Sequence, residues 1–340
     1  MSENMSEQKK VLAKLLASKQ GRVPVSFWHH FSAASGIDLD GFKHPEIISG
    51  NVTSTEKYVE DIKPDFVKLM SDGLFNHEFN QENGDTATNI YTGLKPIDDD
   101  NPWLEKTHDL VAAQKKVIGG RLGFYNIFSP TTLLKWALTE DENGKHDKSK
   151  VNGALADIII SDPENVKNAL DAIAEDVKKQ IFAAISGGAD GIYYSTQEIQ
   201  DDRIDDNLFE KFVAENDKDI FEYANQFSDA NILHICGGGG ARNNLVLFKD
   251  YDAPVVNWST DLEDIPLEEG KKIFQGKVVL GGLGNTANDV LYKGSKEEIQ
   301  KEVDRVINAA GTDNVIIGAN CTVPRDIALE NLRWGVEAAK

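Results

Sequence analysis

The chain is poor in cysteine, short of positive charge and without a long apolar run. Only two of its 340 residues are cysteine, Cys236 and Cys321. So sparse a supply builds no disulfide scaffold, and in a cytosolic setting both thiols stay reduced. Lys and Arg number 36 against 56 Asp and Glu, a formal charge of −20. That deficit argues against nucleic acid, whose sequence-independent binding takes clustered cations facing phosphates, and against an anionic membrane surface. No stretch approaches the roughly 20 apolar residues that span a bilayer. The N-terminus, MSENMSEQKKVLAKLLASKQ, has acids where a secretory signal has positive charge, and Lys14 interrupts its apolar run. A cytoplasmic protein is expected, with a short amphipathic helix inside residues 1–20 that sets Val11, Leu12, Leu15 and Leu16 on one face.

What is present is alternation. Eight short β-branched or aromatic runs lie at 23–28, 66–70, 120–127, 191–195, 231–236, 255–259, 278–283 and 315–321. Longer helical patterns separate them, at 55–62, 130–139, 164–186, 207–227, 241–248, 267–274, 296–310 and 324–339. Ser161-Asp162-Pro163-Glu164 supplies a cap and an early proline, and Ser295 to Glu298 has capping-box spacing. Strands apolar on both faces, alternating with helices, predict an α/β fold built as one (β/α)8 TIM barrel over residues 1–340. An open doubly wound sheet is the alternative, but no switch point is recognisable. There is no internal repeat and no proline-rich linker. The polar stretches 76–101 and 140–152 read as surface insertions, the first long enough to help cover an active site.

A barrel carries its chemistry at the C-terminal ends of its strands. Here those ends bear His29-His30, Asp72, Tyr193 to Glu198, His234 to Cys236, Asn257 to Asp261, Asn285 and Asn320-Cys321. Both cysteines fall among them. In LHICGGGG, residues 233–240, His-x-Cys on an extended segment puts both side chains on one side, because direction alternates along a strand. With Cys321 this makes an N/S/S set with one position open, a composition that suits catalytic zinc. Zinc there would hold a thiol substrate as thiolate. The plainer alternative is that the motif is short and each cysteine is a small buried hydrophobe. The four glycines lack the Lys-Ser/Thr of a P-loop. Gly282-Leu283-Gly284-Asn285-Thr286-Ala287 fits G-x-G-x-x-A, but without a first βαβ unit around it. Both read as tight turns that bring backbone close to a ligand or a neighbour. One of the adjacent His29 and His30 should point into a packed layer. His29, Asp72 and Glu198 are the acid/base candidates, and Asp261 reads equally as a general acid or a helix cap. Tyr125, Tyr193 and Tyr194 line the mouth or fill the core; Tyr194, Asn257 and Asn285 are the candidate cofactor contacts.

In consistent order along the chain, several segments resemble the uroporphyrinogen decarboxylase superfamily, which includes cobalamin-dependent methyltransferases acting on thiols such as coenzyme M. They are residues 22–28 (RVPVSFW), Pro64-Asp65-Phe66, Met70-Ser71-Asp72-Gly73, LHICG, residues 255–261 (VVNWSTD), LGGLGNT and IIGANCTVP. The resemblance implies a (β/α)8 barrel. Where the decarboxylase has an arginine-bearing loop for the substrate's carboxylates, residues 28–34 contain no arginine. The methyltransferase branch carries His-x-Cys near strand 5 and a cysteine near strand 8 as zinc ligands, positions held by His234, Cys236 and Cys321. The resemblance therefore implies zinc, a small-molecule thiol substrate and a corrinoid such as methylcobalamin as methyl donor, presented by a separate carrier protein. Asp72, Glu198 or a histidine of the 29–30 pair would complete the zinc shell or take the thiol proton. A homodimer is among the assemblies it allows. Metal-free decarboxylation of a tetrapyrrole or smaller acid, and a non-catalytic barrel that binds a corrinoid, are the other readings.

Overall fold

The computed structural model describes residues 8–17, 22–32, 40–81, 89–140, 147 and 149–339. Seven parallel strands follow one another in chain order around a curled sheet: β1 (Phe66–Leu69), β2 (Leu122–Phe128), β3 (Gly191–Thr196), β4 (Ile232–Ile235), β5 (Val255–Trp258), β6 (Val278–Leu283) and β7 (Val315–Ala319). Each pairs with the next, and helices cover the outside, so the strands can be apolar on both faces. The expected barrel is present, but its first stave differs from the other seven.

Residues 23–28 fill the gap between β7 and β1 without forming regular strand. Val25 makes a single bridge to Ile317. Ile317 N donates to Pro24 O at 2.9 Å and Ser26 N to Ile317 O at 3.1 Å. On the other edge Asp65 N donates to Val25 O at 2.9 Å. Side chains complete the pairing: Val25 N donates to Asp65 Oδ2 at 2.8 Å, and Ser26 Oγ to Phe66 O at 2.6 Å. Pro24 has no N–H with which to extend a ladder, which is why the stave is irregular.

The barrel interior is layered by the alternation of side chains. Trp28, Phe66, Phe124, Ile232, Val255, Val278, Leu280 and Ile316 form an apolar lower layer. The helix Leu12–Leu16 plugs its lower end, where Val11 and Leu15 are buried and Val11 N and Leu12 N donate to Asp229 Oδ1 at 2.6 and 3.0 Å. Each of those two side chains contributes about 1.5–3 kcal/mol by leaving water. Residues 1–7 and 18–20 of the expected extension lie outside the described residues. One step up β1 to β5 the interior turns polar, with Lys68, Asn126, Tyr193, His234 and Asn257 buried.

Among the helices, Lys296–Ala310 has the full capping box on Ser295 and Glu298. The helix expected at 55–62 begins earlier, as Glu46–Ile62. Two further helices, Pro102–Val117 and Val151–Ser161, were not anticipated. The pattern at 207–227 is broken by a π-helical turn, Glu210–Ala214. The one at 241–248 is reduced to a 3-10 turn, Leu245–Phe248. The described part of the 76–101 insertion is clasped to the helical layer. Asp176 on the helix Pro163–Ser186 binds His77 Nε2 at 2.8 Å and accepts from Ile97 N at 2.7 Å. Residues 82–88, and 141–146 and 148 of the second insertion, lie outside the described residues. No described helix is long and apolar enough to cross a membrane.

Behind β3, buried Asp217 accepts from the hydroxyls of Tyr194 and Tyr251. Burial pushes its pKa up from 3.8 to about 6. A carboxyl whose pKa rises on folding stabilises the fold fully below its unfolded value, and that stabilisation is lost as pH rises through the folded value. Asp217→Asn is therefore expected to remove a step near pH about 6 from the profile of melting temperature against pH. A profile that keeps the step would assign it to another group.

Candidate metal centre

His234 and Cys236 leave the end of β4 on one side, and Cys321 follows β7. One donor atom from each lies within 4.8 Å of the others. Cys321 Sγ stands 3.5 Å from His234 Nε2. Tetrahedral zinc, with bonds of about 2.3 Å to sulfur and 2.0–2.1 Å to nitrogen, sets that edge at about 3.6 Å. The donor set thus fits zinc in chemistry, and its Cys321–His234 edge fits in spacing, with a fourth position left for a ligand. Among the described residues no carboxylate joins the cluster.

His234 is held for this task by Asn257. Asn257 Nδ2 donates to Leu280 O at 2.8 Å and to Ala319 O at 3.4 Å, which fixes the amide orientation. Asn257 Oδ1 then accepts from Tyr193 OH at 2.7 Å and faces His234 Nδ1 at 2.5 Å. An acceptor at that point places the imidazole proton on Nδ1 and leaves the Nε2 lone pair facing the thiols.

The glycines after Cys236 serve the sulfur. Gly238 N donates to Cys236 Sγ at 3.2 Å, and a Cβ on Gly238 would come within 3.0 Å of that atom. The Cys236 and Cys321 sulfurs also face each other, within 4.8 Å. This holds Cys321 well below the ordinary thiol range and, together with burial, pushes Cys236 above it.

The other candidates fall into place around this cluster. Asp72 is buried and accepts from Phe31 N at 2.9 Å, Ser32 N at 2.6 Å and Asn51 Nδ2 at 2.8 Å, and lies 2.8 Å from His30 Nδ1. Burial alone would raise its pKa, but the bonds from His30, Ser32 and Phe31 prevail and hold it below the usual carboxylate range. The histidine that faces this carboxylate is His30. His29, expected to act, instead packs its ring against Tyr58 and Phe31, and burial lowers its pKa. Val323 N donates to Trp28 O and Arg325 Nη1 to Ser32 O, each at 2.9 Å, so the loop after Cys321 is tied to the segment that carries His30.

Glu198 accepts from Asn244 N, and its own N donates to Asn243 Oδ1 at 2.8 Å. Asn243 Nδ2 donates to Cys236 O at 3.1 Å. Glu198 therefore braces the Cys236 turn rather than reaching the thiols. Asn285 Nδ2 donates to Thr322 O at 3.1 Å, beside Cys321. Asp261, read as an acid or a cap, accepts from Asn320 Nδ2 at 2.8 Å; the helix Thr260–Glu263 is capped by Ser259 instead. Of the expected cofactor contacts, Asn257 and Asn285 are engaged in anchoring the ligand loops. Tyr194 faces outward to Asp217, and Tyr193 is the tyrosine that faces the interior.

Two buried lysines were not anticipated. Lys68 on β1 is 5% exposed and Lys135 on the helix Pro130–Ala137 is 3% exposed. Burial lowers both pKa values to about 8, against the pull of the nearby thiols. A lone cation within the apolar run Phe66-Val67-Lys68-Leu69-Met70 was the available signal for the first.

The sequence model described as Uroporphyrinogen decarboxylase (URO-D) matches residues 129–340. No curated protein sequence matches the chain. Among solved structures, a methyltransferase from Methanosarcina mazei is similar over 97% of this chain and 96% of that one, at 15% identity and a TM-score of 0.63. A B12-independent methionine synthase from a Shewanella species, in complex with selenomethionine, covers 95% and 97% at 12% identity and a TM-score of 0.53. A β-1,4-mannanase from the sea hare Aplysia kurodai covers 94% and 93% at 11% identity and a TM-score of 0.51. Such likenesses are of fold alone, as the mannanase makes plain.

Asn257→Leu is expected to weaken zinc or cobalt affinity by roughly 10- to 100-fold while leaving the protein folded. Competition with a chromophoric chelator measures it, and unchanged affinity would remove Asn257 as the histidine's orienting group.

Proposed function

The chain belongs to the uroporphyrinogen decarboxylase family, and on that premise we propose that it is a zinc-dependent methyltransferase that moves a methyl group from a corrinoid to a thiol. The observation that carries this reading is the convergence of His234, Cys236 and Cys321, with Cys321 Sγ 3.5 Å from His234 Nε2. Zinc bound there would act as a Lewis acid that makes a substrate thiol acidic enough to be a nucleophile near neutral pH. His234, Cys236 and Cys321 would hold it, and Asn257 keeps the histidine in the ligating tautomer.

His30, oriented by Asp72, is the proton acceptor we assign. Asp72 fixes Nδ1 and leaves Nε2 free, while the imidazole remains one-third exposed at 32%. The substrate thiol gives its proton to that nitrogen and thence to solvent. A methyl-corrinoid at the mouth would supply the methyl group to that sulfur and keep the electron pair of the bond it gives up, while this chain's own residues hold the thiol and take its proton. A donor as large as a corrinoid would approach the mouth on a carrier protein. Decarboxylation is less well supported, because the Asp72 carboxylate is already occupied by Phe31, Ser32, Asn51 and His30.

Purified protein is expected to contain about one zinc per chain, lost in Cys321→Ala; elemental analysis decides, and a folded wild type that takes up no zinc would end this reading. Methylcobalamin with a small thiol should give the thioether, and uroporphyrinogen should not be turned over. His30→Gln should cut kcat/KM for thiol methylation roughly 100-fold or more with zinc content unchanged. Full activity in that variant would send the proton elsewhere.

A further inference from the structure

Lys68 is unlike the rest of its strand. Phe66 and Lys68 share the face of β1 that looks into the barrel, while Val67 and Leu69 pack outward. The Lys68 ammonium lies 3.9 Å from the centroid of the Tyr193 ring. Among the described residues its nitrogen makes no direct hydrogen bond or salt bridge, and the charged groups that act on it from a distance are Cys321, Cys236 and Asp72. A cation–π contact offsets only part of the cost of taking an ammonium from water. In the same layer, one strand over, the buried Asn126 Oδ1 also has no partner. The Tyr193 hydroxyl beyond the cation bonds to Asn257 Oδ1, the atom that faces His234 Nδ1. The unpaired charge is thus one aromatic ring away from the hydrogen bonds that set the metal ligand.

We propose that Lys68 is a positioning residue whose positive charge balances an anionic thiolate entering the open fourth position beside His234, Cys236 and Cys321. This rests on the zinc reading above. A divalent cation with two cysteine thiolates and a neutral imidazole has no net charge, and a third thiolate brings the cluster to minus one. The added negative charge faces Lys68 when that third ligand is an anion, and a neutral ligand brings none. The site therefore selects thiolate over the protonated thiol, and over neutral donors of similar size. The charges that reach Lys68 are those of Cys321, Cys236 and Asp72, with Lys135 on the far side of Cys236; zinc would neutralise the two thiolates and Asp72 is taken up by His30, Phe31, Ser32 and Asn51, which leaves a substrate anion as the counter-charge for Lys68.

The test uses the full chain loaded with cobalt(II) in place of zinc, its visible spectrum titrated with ethanethiol and, separately, with imidazole across a range of pH. Lys68→Met keeps the length of the side chain and removes its charge. It should weaken ethanethiol binding by about ten-fold or more and move the pH midpoint for thiolate binding up by about one unit, with imidazole affinity unchanged. Lys68→Gln should behave alike and serves if the methionine variant loads no cobalt. Undiminished ethanethiol binding, or equal loss for both ligands, would overturn the charge-balancing role while leaving the zinc reading in place. A wild type that takes up no cobalt would overturn both.

Discussion

The contact between Asn257 and His234 lies at the centre of this molecule. A buried amide has four hydrogen-bonding directions to satisfy, and Asn257 satisfies them with carbonyls of β6 and β7 below and with Tyr193 and His234 above. Because its Nδ2 is bound to backbone that is itself part of the sheet, the amide cannot turn over. The imidazole is therefore oriented by the barrel's own hydrogen bonding. The sulfurs are positioned from the same framework: Asn320, which precedes Cys321, donates its N–H to Leu283 O at 2.8 Å, and Asn243 holds the Cys236 carbonyl. Three donors on two strands that are not neighbours meet because asparagines in the intervening staves fix each loop to the wall.

Electrostatics gives this geometry its direction. The chain as a whole is strongly anionic, yet the two lysines of the barrel's upper half are buried around the thiols. In a medium of low effective dielectric a single charge matters far more than it would on the surface. The carboxylates that sequence reasoning placed near the metal turn out to be engaged with backbone N–H groups. They stiffen the mouth without bringing negative charge against the sulfurs.

Much of this was legible in the sequence. Seven of the eight expected strands are where the apolar runs are, since a parallel strand covered on both faces leaves an uninterrupted apolar signal. The His234, Cys236 and Cys321 set was legible too, because strand ends are where a barrel keeps its chemistry. What was lost has physical reasons. The helix Pro102–Val117 announces itself with Asn101 as cap and Pro102 in the first turn, but the polar insertion before it masks the boundary. His29 against His30, and Tyr194 against Tyr193, are choices of parity. Adjacent residues of one type differ only in which face they take, and that depends on register with a neighbouring strand. Lys68 is legible only as an anomaly until the interior it faces is known.

The irregular stave at residues 23–28 has a consequence of its own. In a closed ring of regular strands, a shift in any one pairing must be absorbed by all the others. Here one joint is fastened by Asp65 and Ser26 side chains rather than by a continuous ladder, so the ring has a seam. A change in the residues that follow it, His30 among them, can be taken up locally, without resetting β4, β5 or β7, which carry the ligands and their support. The part of the mouth that meets the substrate is thus free to diversify, while the part that would hold the metal is bound by closure of the barrel.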